Sequence, residues 1–225
     1  MTRRAGGADR GRVASEAIRF AAKAAVDPSG VVTLWKAQTG GKAVGCLPPT
    51  PIPELLHSTG MLPLQVESPA ELSRFERSVD AWLWGTGTGP SLPPSSPVPW
   101  FAFLPEEPKR LEEALDRVEA LAEWAETVTG NPVSEGSLWK SIHAYAARDA
   151  LLKEMDARCG RMRSFLSPSE RRDIVRAGSF LPPEAHSRLL ALVLGFEYEC
   201  ATAEGERERA DPRVVLAKRL MPPAG

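Results

Sequence analysis

An α/β fold is the architecture this sequence predicts: a small, mostly parallel, Rossmann-like sheet of about four strands, followed by an all-helical region. Three observations carry it. Short apolar runs at residues 42–47, 61–66, 79–84 and 100–104 are separated by stretches rich in glycine and proline. A short helical pattern lies between the first two runs, the spacing of a strand–helix–strand unit. From Glu106 onward the apolar positions change to helical spacing.

In chain order, Val13 to Val26 reads as a helix with Val13, Ala17, Phe20, Ala21 and Ala24 on one face and Ile18 beside it. Asp27, Pro28 and Gly30 mark a turn, and Val31 to Gln38 is a short helix or an extended link ending at Gly40-Gly41. Lys42 to Leu47 is the first strand. A proline-dense turn and a helix from Glu54 to Thr59, closed by Gly60, lead to the second strand, Met61 to Val66. Pro69 to Arg77 is a short helix and Val79 to Trp84 the third strand. Gly85 to Pro90 and Leu92 to Pro99 form a loop before a fourth strand at Trp100 to Leu104.

Glu106 to Val128 carries apolar residues at Leu111, Leu115, Val118, Leu121, Ala122, Ala125 and Val128, the pattern of a helix with one buried face. Gly130-Asn131-Pro132 stops it. Ser134 caps a helix reaching about Arg158, with Leu138, Ile142, Tyr145, Leu152 and Met155 inward. Ser167-Pro168-Ser169-Glu170 is a capping box with proline at the first helical position, and that helix ends at Gly178. Pro182 to about Cys200 and Pro212 to Leu220 complete the helices. The expected organisation is a disordered N-terminus (1–12), an α/β domain (13–105) and a helical region packing on it (106–225).

Charge is balanced at 28 basic against 29 acidic residues, which argues against nucleic acid as partner. The 3 cysteines, Cys46, Cys159 and Cys200, imply no disulfide framework and form no CxxC pair. The basic N-terminus leads into an amphipathic helix without the apolar core of a secretory signal. No run approaches the roughly 18 apolar residues of a membrane span. A cytoplasmic protein without membrane contact is expected.

Three residues stand out. Cys46 lies where the first strand ends, the position at which open α/β sheets bind ligands; it is equally a small buried hydrophobe. His57 is either a proton or hydrogen-bond donor near a substrate or a helix residue packed on the sheet, its ring satisfied by backbone. Glu54 sits in the first helical turn, facing the positive end of the dipole. His143 and His186 read as surface residues. Trp82, Trp84 and Trp100 read as core or interface. Gly85 to Pro90 lacks the Lys-Ser/Thr of a nucleotide-binding loop and reads as a linker.

Two blocks resemble the 2-hydroxyacyl-CoA dehydratase D-component family, including the benzoyl-CoA reductase subunits. The first is Trp35-Lys36-Ala37-Gln38-Thr39-Gly40-Gly41-Lys42-Ala43-Val44-Gly45-Cys46-Leu47-Pro48 with Glu54-Leu55-Leu56-His57-Ser58-Thr59-Gly60-Met61-Leu62-Pro63. The second is Thr129-Gly130-Asn131-Pro132-Val133-Ser134 with Leu138, Ser141-Ile142, Tyr145, Arg148 and Leu151-Leu152. The resemblance implies radical chemistry on an acyl-CoA thioester. A [4Fe-4S] cluster held by cysteine thiolates would receive an electron from an ATP-driven activator. Cys46 matches a cluster ligand, and Arg148 could meet a CoA phosphate or pair with a neighbouring acid.

The chain departs from the family pattern. The third strand is not followed by a Cys-Asp motif; Thr88-Gly89 stands near that position. The segment between the second and third strands is short, and the family's second α/β domain has no counterpart. The α/β domain therefore reads as truncated. Thr50 replaces a tyrosine, and Ile52-Pro53-Glu54 replaces Pro-Glu-Glu. A cluster would have to be shared with, or completed by, a partner. The expectation is an accessory or diverged subunit, not catalytic alone, paired with a full-length related subunit. The alternatives are a catalytic iron–sulfur subunit and a non-catalytic acyl-CoA binding module.

Overall fold

A computed structural model describes residues 7–47, 50, 52–75, 77–85, 98–103, 107–162, 164–196 and 211–222. The elements are α1 (Gly7–Val26), α2 (Pro28–Thr39), β1 (Lys42–Leu47), α3 (Pro53–Ser58), β2 (Met61–Gln65), α4 (Pro69–Phe75), β3 (Ala81–Gly85) and β4 (Trp100–Phe103). They continue with α5 (Leu111–Thr129), α6 (Glu135–Arg161), α7 (Pro168–Ala177), α8 (Pro183–Leu194) and α9 (Pro212–Leu220). The α/β class and the four strands follow the sequence reading. The sheet is parallel throughout its described pairs.

Some bounds differ. α1 begins at Gly7 rather than Val13, and the link before β1 is the helix α2. α5 begins at Leu111 rather than Glu106, and Pro108 disfavours helical backbone in Glu107 before it. α8 stops at Leu194, since Gly195 adopts φ 71° and its N–H closes on Ala191 and Leu192 carbonyls. Cys200, the earlier expected end, lies outside the described residues, as does most of Gly85 to Pro90.

The chain forms two compact units of interleaved sequence. One comprises residues 1–31 and 144–202; the other comprises 32–143 and 203–225.

In the first unit α1 presents a stripe of small residues, Ala17, Ala21 and Ala24, to α7 and α8. Alanines allow close approach, and Ile174, Leu190 and Val193 fill the space between. The capping box of α7 is complete: Ser167 Oγ accepts from Glu170 N–H while the Glu170 carboxylate accepts from Ser167 N–H. His186 is a correction to the sequence reading. It is buried, and its Nε2–H donates to Ile174 C=O at 2.9 Å. Gly178 makes this possible, because a Cβ there would meet the imidazole at 2.3 Å.

The second unit holds the sheet, ordered β2-β1-β3-β4. Pro63 sits in β2, an edge strand with only one neighbour to satisfy. Val44 and Cys46 of β1, Met61 of β2 and Ala81 and Leu83 of β3 lie on one face. There they join Leu55 and Leu56 of α3, Val118 and Leu121 of α5, Leu138 of α6 and Leu216 of α9 in one apolar cluster. Each such leucine contributes on the order of 1.5–3 kcal/mol by leaving water. Ala43, Gly45, Trp82 and Trp84 point to the other face. Asp80 fixes the start of β3. Its N–H donates to Ala43 C=O, its carboxylate accepts from Ala43 N–H at 2.8 Å, and Lys36 Nζ of α2 pairs with that carboxylate at 2.8 Å.

Candidate functional site

β1 connects to β2 on one side of itself and, after the crossover, β3 lies on the other. The chain thus reverses direction across the sheet between β1 and β3. In open parallel sheets the crevice beyond the strand C-termini at such a reversal is where ligands bind. Cys46 and Leu47 end β1 there, paired with Leu83 and Trp84 of β3. The turn from β1 to α3 is held by Thr50 N–H donating to Gln65 Oε1 at 2.9 Å.

Cys46 lies within the apolar cluster at 0 % exposure. Its Sγ is 3.8 Å from Val44 C=O, and burial pushes the thiol well above its ordinary value. A buried thiol of this kind becomes a ligand only when a bound metal itself displaces its proton. Among the described residues no group of three or more His, Cys, Asp or Glu side chains could hold a metal ion. The described residues therefore do not fit an iron–sulfur cluster. Cys159 is partly exposed in α6.

Glu54 is buried at 3 % exposure, although it lies in the first turn of α3, where a carboxylate also faces the helix dipole. Its Oε1 accepts from Arg219 Nη1 of α9, and its Oε2 is buried without a hydrogen-bond partner. The pair joins residues 165 positions apart.

His57 occupies the last turn of α3, one turn after Glu54, so the two share a face. Its Nδ1 lies 2.9 Å from Ser141 Oγ on α6, not on a backbone group. Ser141 is buried, and its hydroxyl donates to Glu54 C=O at 2.8 Å. A third bond runs from Asn131 Nδ2 to Thr59 C=O at 2.8 Å, beside Gly60 with φ 85°. The two sequence blocks thus meet: Glu54, His57 and Thr59 from the first, Asn131 and Ser141 from the second.

The structure brings Glu54 and His57 onto one helix face and leaves Cys46 within the core. His143 stacks on Trp139 with ring centroids 5.6 Å apart. Arg148 pairs with Asp149 at 2.9 Å and lies over the Tyr145 ring at 4.5 Å. Sequence reasoning did not single out Arg219, Asn131 or Ser141 as partners of α3. The last two do lie in the second block, and that was the available signal.

No described helix is long and apolar enough to cross a membrane. No curated protein matches the chain. A protein-family model, 2-hydroxyglutaryl-CoA dehydratase, D-component, matches residues 95–224, more than half of the sequence and inclusive of the second block. The chain belongs to the 2-hydroxyglutaryl-CoA dehydratase D-component family.

Proposed function

We propose that the chain is an accessory or diverged subunit of a 2-hydroxyacyl-CoA dehydratase or benzoyl-CoA reductase-type complex, not catalytic alone and partnered by a full-length related subunit. The observation that carries this reading is the environment of Cys46. The cysteine that matches a cluster ligand is sealed in an apolar cluster, and among the described residues no group of three or more His, Cys, Asp or Glu side chains forms a ligand set. The paired sheet and the α3–α6 contact form an ordered framework around it. Within this reading Cys46 is a packing residue, Glu54 anchors α9 through Arg219, and His57 is the group that would exchange a proton with a bound ligand. Any cluster would be shared with, or completed by, the partner. Acyl-CoA reaches the complex, and the compartment is the cytoplasm.

Anaerobic co-expression with a full-length family member tests the proposal. The expected result is a stable hetero-oligomer whose iron and sulfide follow the partner and are absent from this chain purified alone. A monomer at every concentration mixed with the partner would overturn it, as would a stoichiometric cluster on the isolated chain. Calorimetry with benzoyl-CoA on the isolated chain separates the acyl-CoA binding module, which alone requires binding there.

A further inference from the structure

α3 follows the exit of β1, so its first turn lies at the carboxyl end of that strand, the crevice side of the sheet. Glu54 stands in that turn with its carboxylate buried. Oε1 accepts from Arg219 of α9, and Oε2 has no hydrogen-bond partner. Arg219 belongs to the last turn of α9, so it holds that end of the helix at the exit of β1. Leu216, Ala217 and Leu220 of α9 are buried in the apolar cluster that also holds Cys46 and Ile52. Two described ion pairs tie α9 down. Arg213 and Glu119, 3.8 Å apart, are both well exposed and contribute little. The Arg219–Glu54 pair differs because its carboxylate is buried. With α9 in place, one cation offsets the desolvation of Glu54. With α9 moved away, water takes the place of that cation. Loss of the pair on opening is thus balanced by hydration, and the apolar side chains of α9 are what oppose opening. A helix of 9 residues has little stability of its own. β1, by contrast, is hydrogen-bonded to a strand on each side.

We propose that α9 is a cover over the carboxyl end of β1, latched by Arg219 on Glu54, and that Cys46 becomes accessible when this cover opens locally, with the sheet intact. Closed, the crevice side of the strand reversal is occupied by the chain's own helix. Access is set by the latch and needs no rearrangement of the strands. Such sub-global openings involve the elements with the fewest ties to the core sheet. The device goes beyond the subunit reading and does not depend on it.

The test uses the full chain carrying Cys159→Ser and Cys200→Ser, so that Cys46 is the thiol observed. Labelling of Cys46 and hydrogen exchange of backbone amides are followed over a series of low denaturant concentrations. Cys46 and the amides of α9 are expected to report one opening with a shallow denaturant dependence. The amides of β1 and β3 are expected to report a rarer, steeper one, because unfolding the sheet exposes more surface. Arg219→Met is expected to speed Cys46 labelling on the order of a hundredfold, since the closed state then holds an unpaired buried charge. Adding Glu54→Gln is expected to reverse most of that gain. A single steep opening shared by Cys46, α9 and β1 would overturn the proposal. So would fast exchange of α9 with Cys46 still as protected as β1, or an unchanged labelling rate in a folded Arg219→Met variant. Should that variant not fold, the denaturant series on the starting chain decides the question. These measurements are independent of whether the chain co-purifies with a related subunit, so the two readings fail separately.

Discussion

Gly45 lies directly beside Trp82 in the parallel ladder between β1 and β3, and the indole fills the space a side chain at position 45 would occupy. A Cβ at Gly45 would come within 2.2 Å of the Trp82 ring. Trp82 is itself buried, so the ring has no open direction in which to retreat. The glycine of the Val44-Gly45-Cys46 sequence is therefore a packing requirement of the sheet.

Gly45→Ala is expected to destabilise the fold by roughly 1–3 kcal/mol, the usual cost of overpacking. Urea denaturation followed by fluorescence measures it. Pairing the change with Trp82→Leu is expected to recover part of the loss, because contacting residues are not additive. Equal effects of Gly45→Ala with and without Trp82 would contradict the contact.

Cys46 is expected to resist thiol reagents in the native protein and to react once denaturant opens the core. The measurement belongs in a Cys159→Ser, Cys200→Ser background, where Cys46 is the remaining thiol. Burial raises the thiol and removes the reactive thiolate. Fast stoichiometric labelling without denaturant would place the sulfur near solvent, contrary to its position in the apolar cluster.

Removal of the Arg219 guanidinium is expected to cost more than removal of the whole pair. Arg219→Met leaves Glu54 buried with both oxygens unpartnered, which costs roughly 2–4 kcal/mol after allowance for the partial exposure of Arg219. Glu54→Gln with Arg219→Met removes the buried charge and is expected to be milder. Thermal unfolding of the two single variants and the double variant closes the cycle. Additive losses would mean that the pair contributes no coupling.

His186 makes the first unit sensitive to acid. Desolvation is the largest influence on it, and the imidazole falls from an ordinary 6.5 to about 4. The Ile174 carbonyl and Asp149 pull upward and Arg148 downward. Between those two values the unfolded chain binds a proton that the folded chain does not. Stability contributed by the neutral ring is therefore complete above pH 6.5 and is lost as pH falls toward 4. The loss amounts to roughly 3 kcal/mol over that window. Chemical denaturation at a series of pH values is expected to show this slope, and His186→Gln to flatten it. A slope that survives the substitution would assign it to carboxylates instead.

Much of the fold was legible because its signals are local. Apolar runs ending at Gly60, Gly85 or a proline mark strands and turns whatever lies elsewhere, and Ser167 to Glu170 states its cap within four residues. The site was less legible because its partners are remote. Ser141 meets His57 across 84 positions and Arg219 meets Glu54 across 165, and no periodicity carries such information. His186 was misread because a lone histidine near a helix start has the pattern of a surface residue. In the fold it is buried, bonded to Ile174 C=O in the space that Gly178 leaves. The ancestry was legible in the second block, which lies within the matching family model, whereas the model begins at residue 95, beyond the first block.

The interleaved assignment of residues to the two units has a consequence for α9. In sequence, residues 144–202 are an insertion within the host unit formed by 32–143 and 203–225. α9 is thus the host's last piece, delivered after the insertion, and it is held by apolar packing on α5 and by Arg219 on Glu54. A backbone break between 203 and 211 would leave α9 with no covalent tie to the sheet, yet its binding surface would stay whole. A synthetic peptide of residues 203–225 is therefore expected to associate with a chain shortened to residue 202, a case of fragment complementation within one protein.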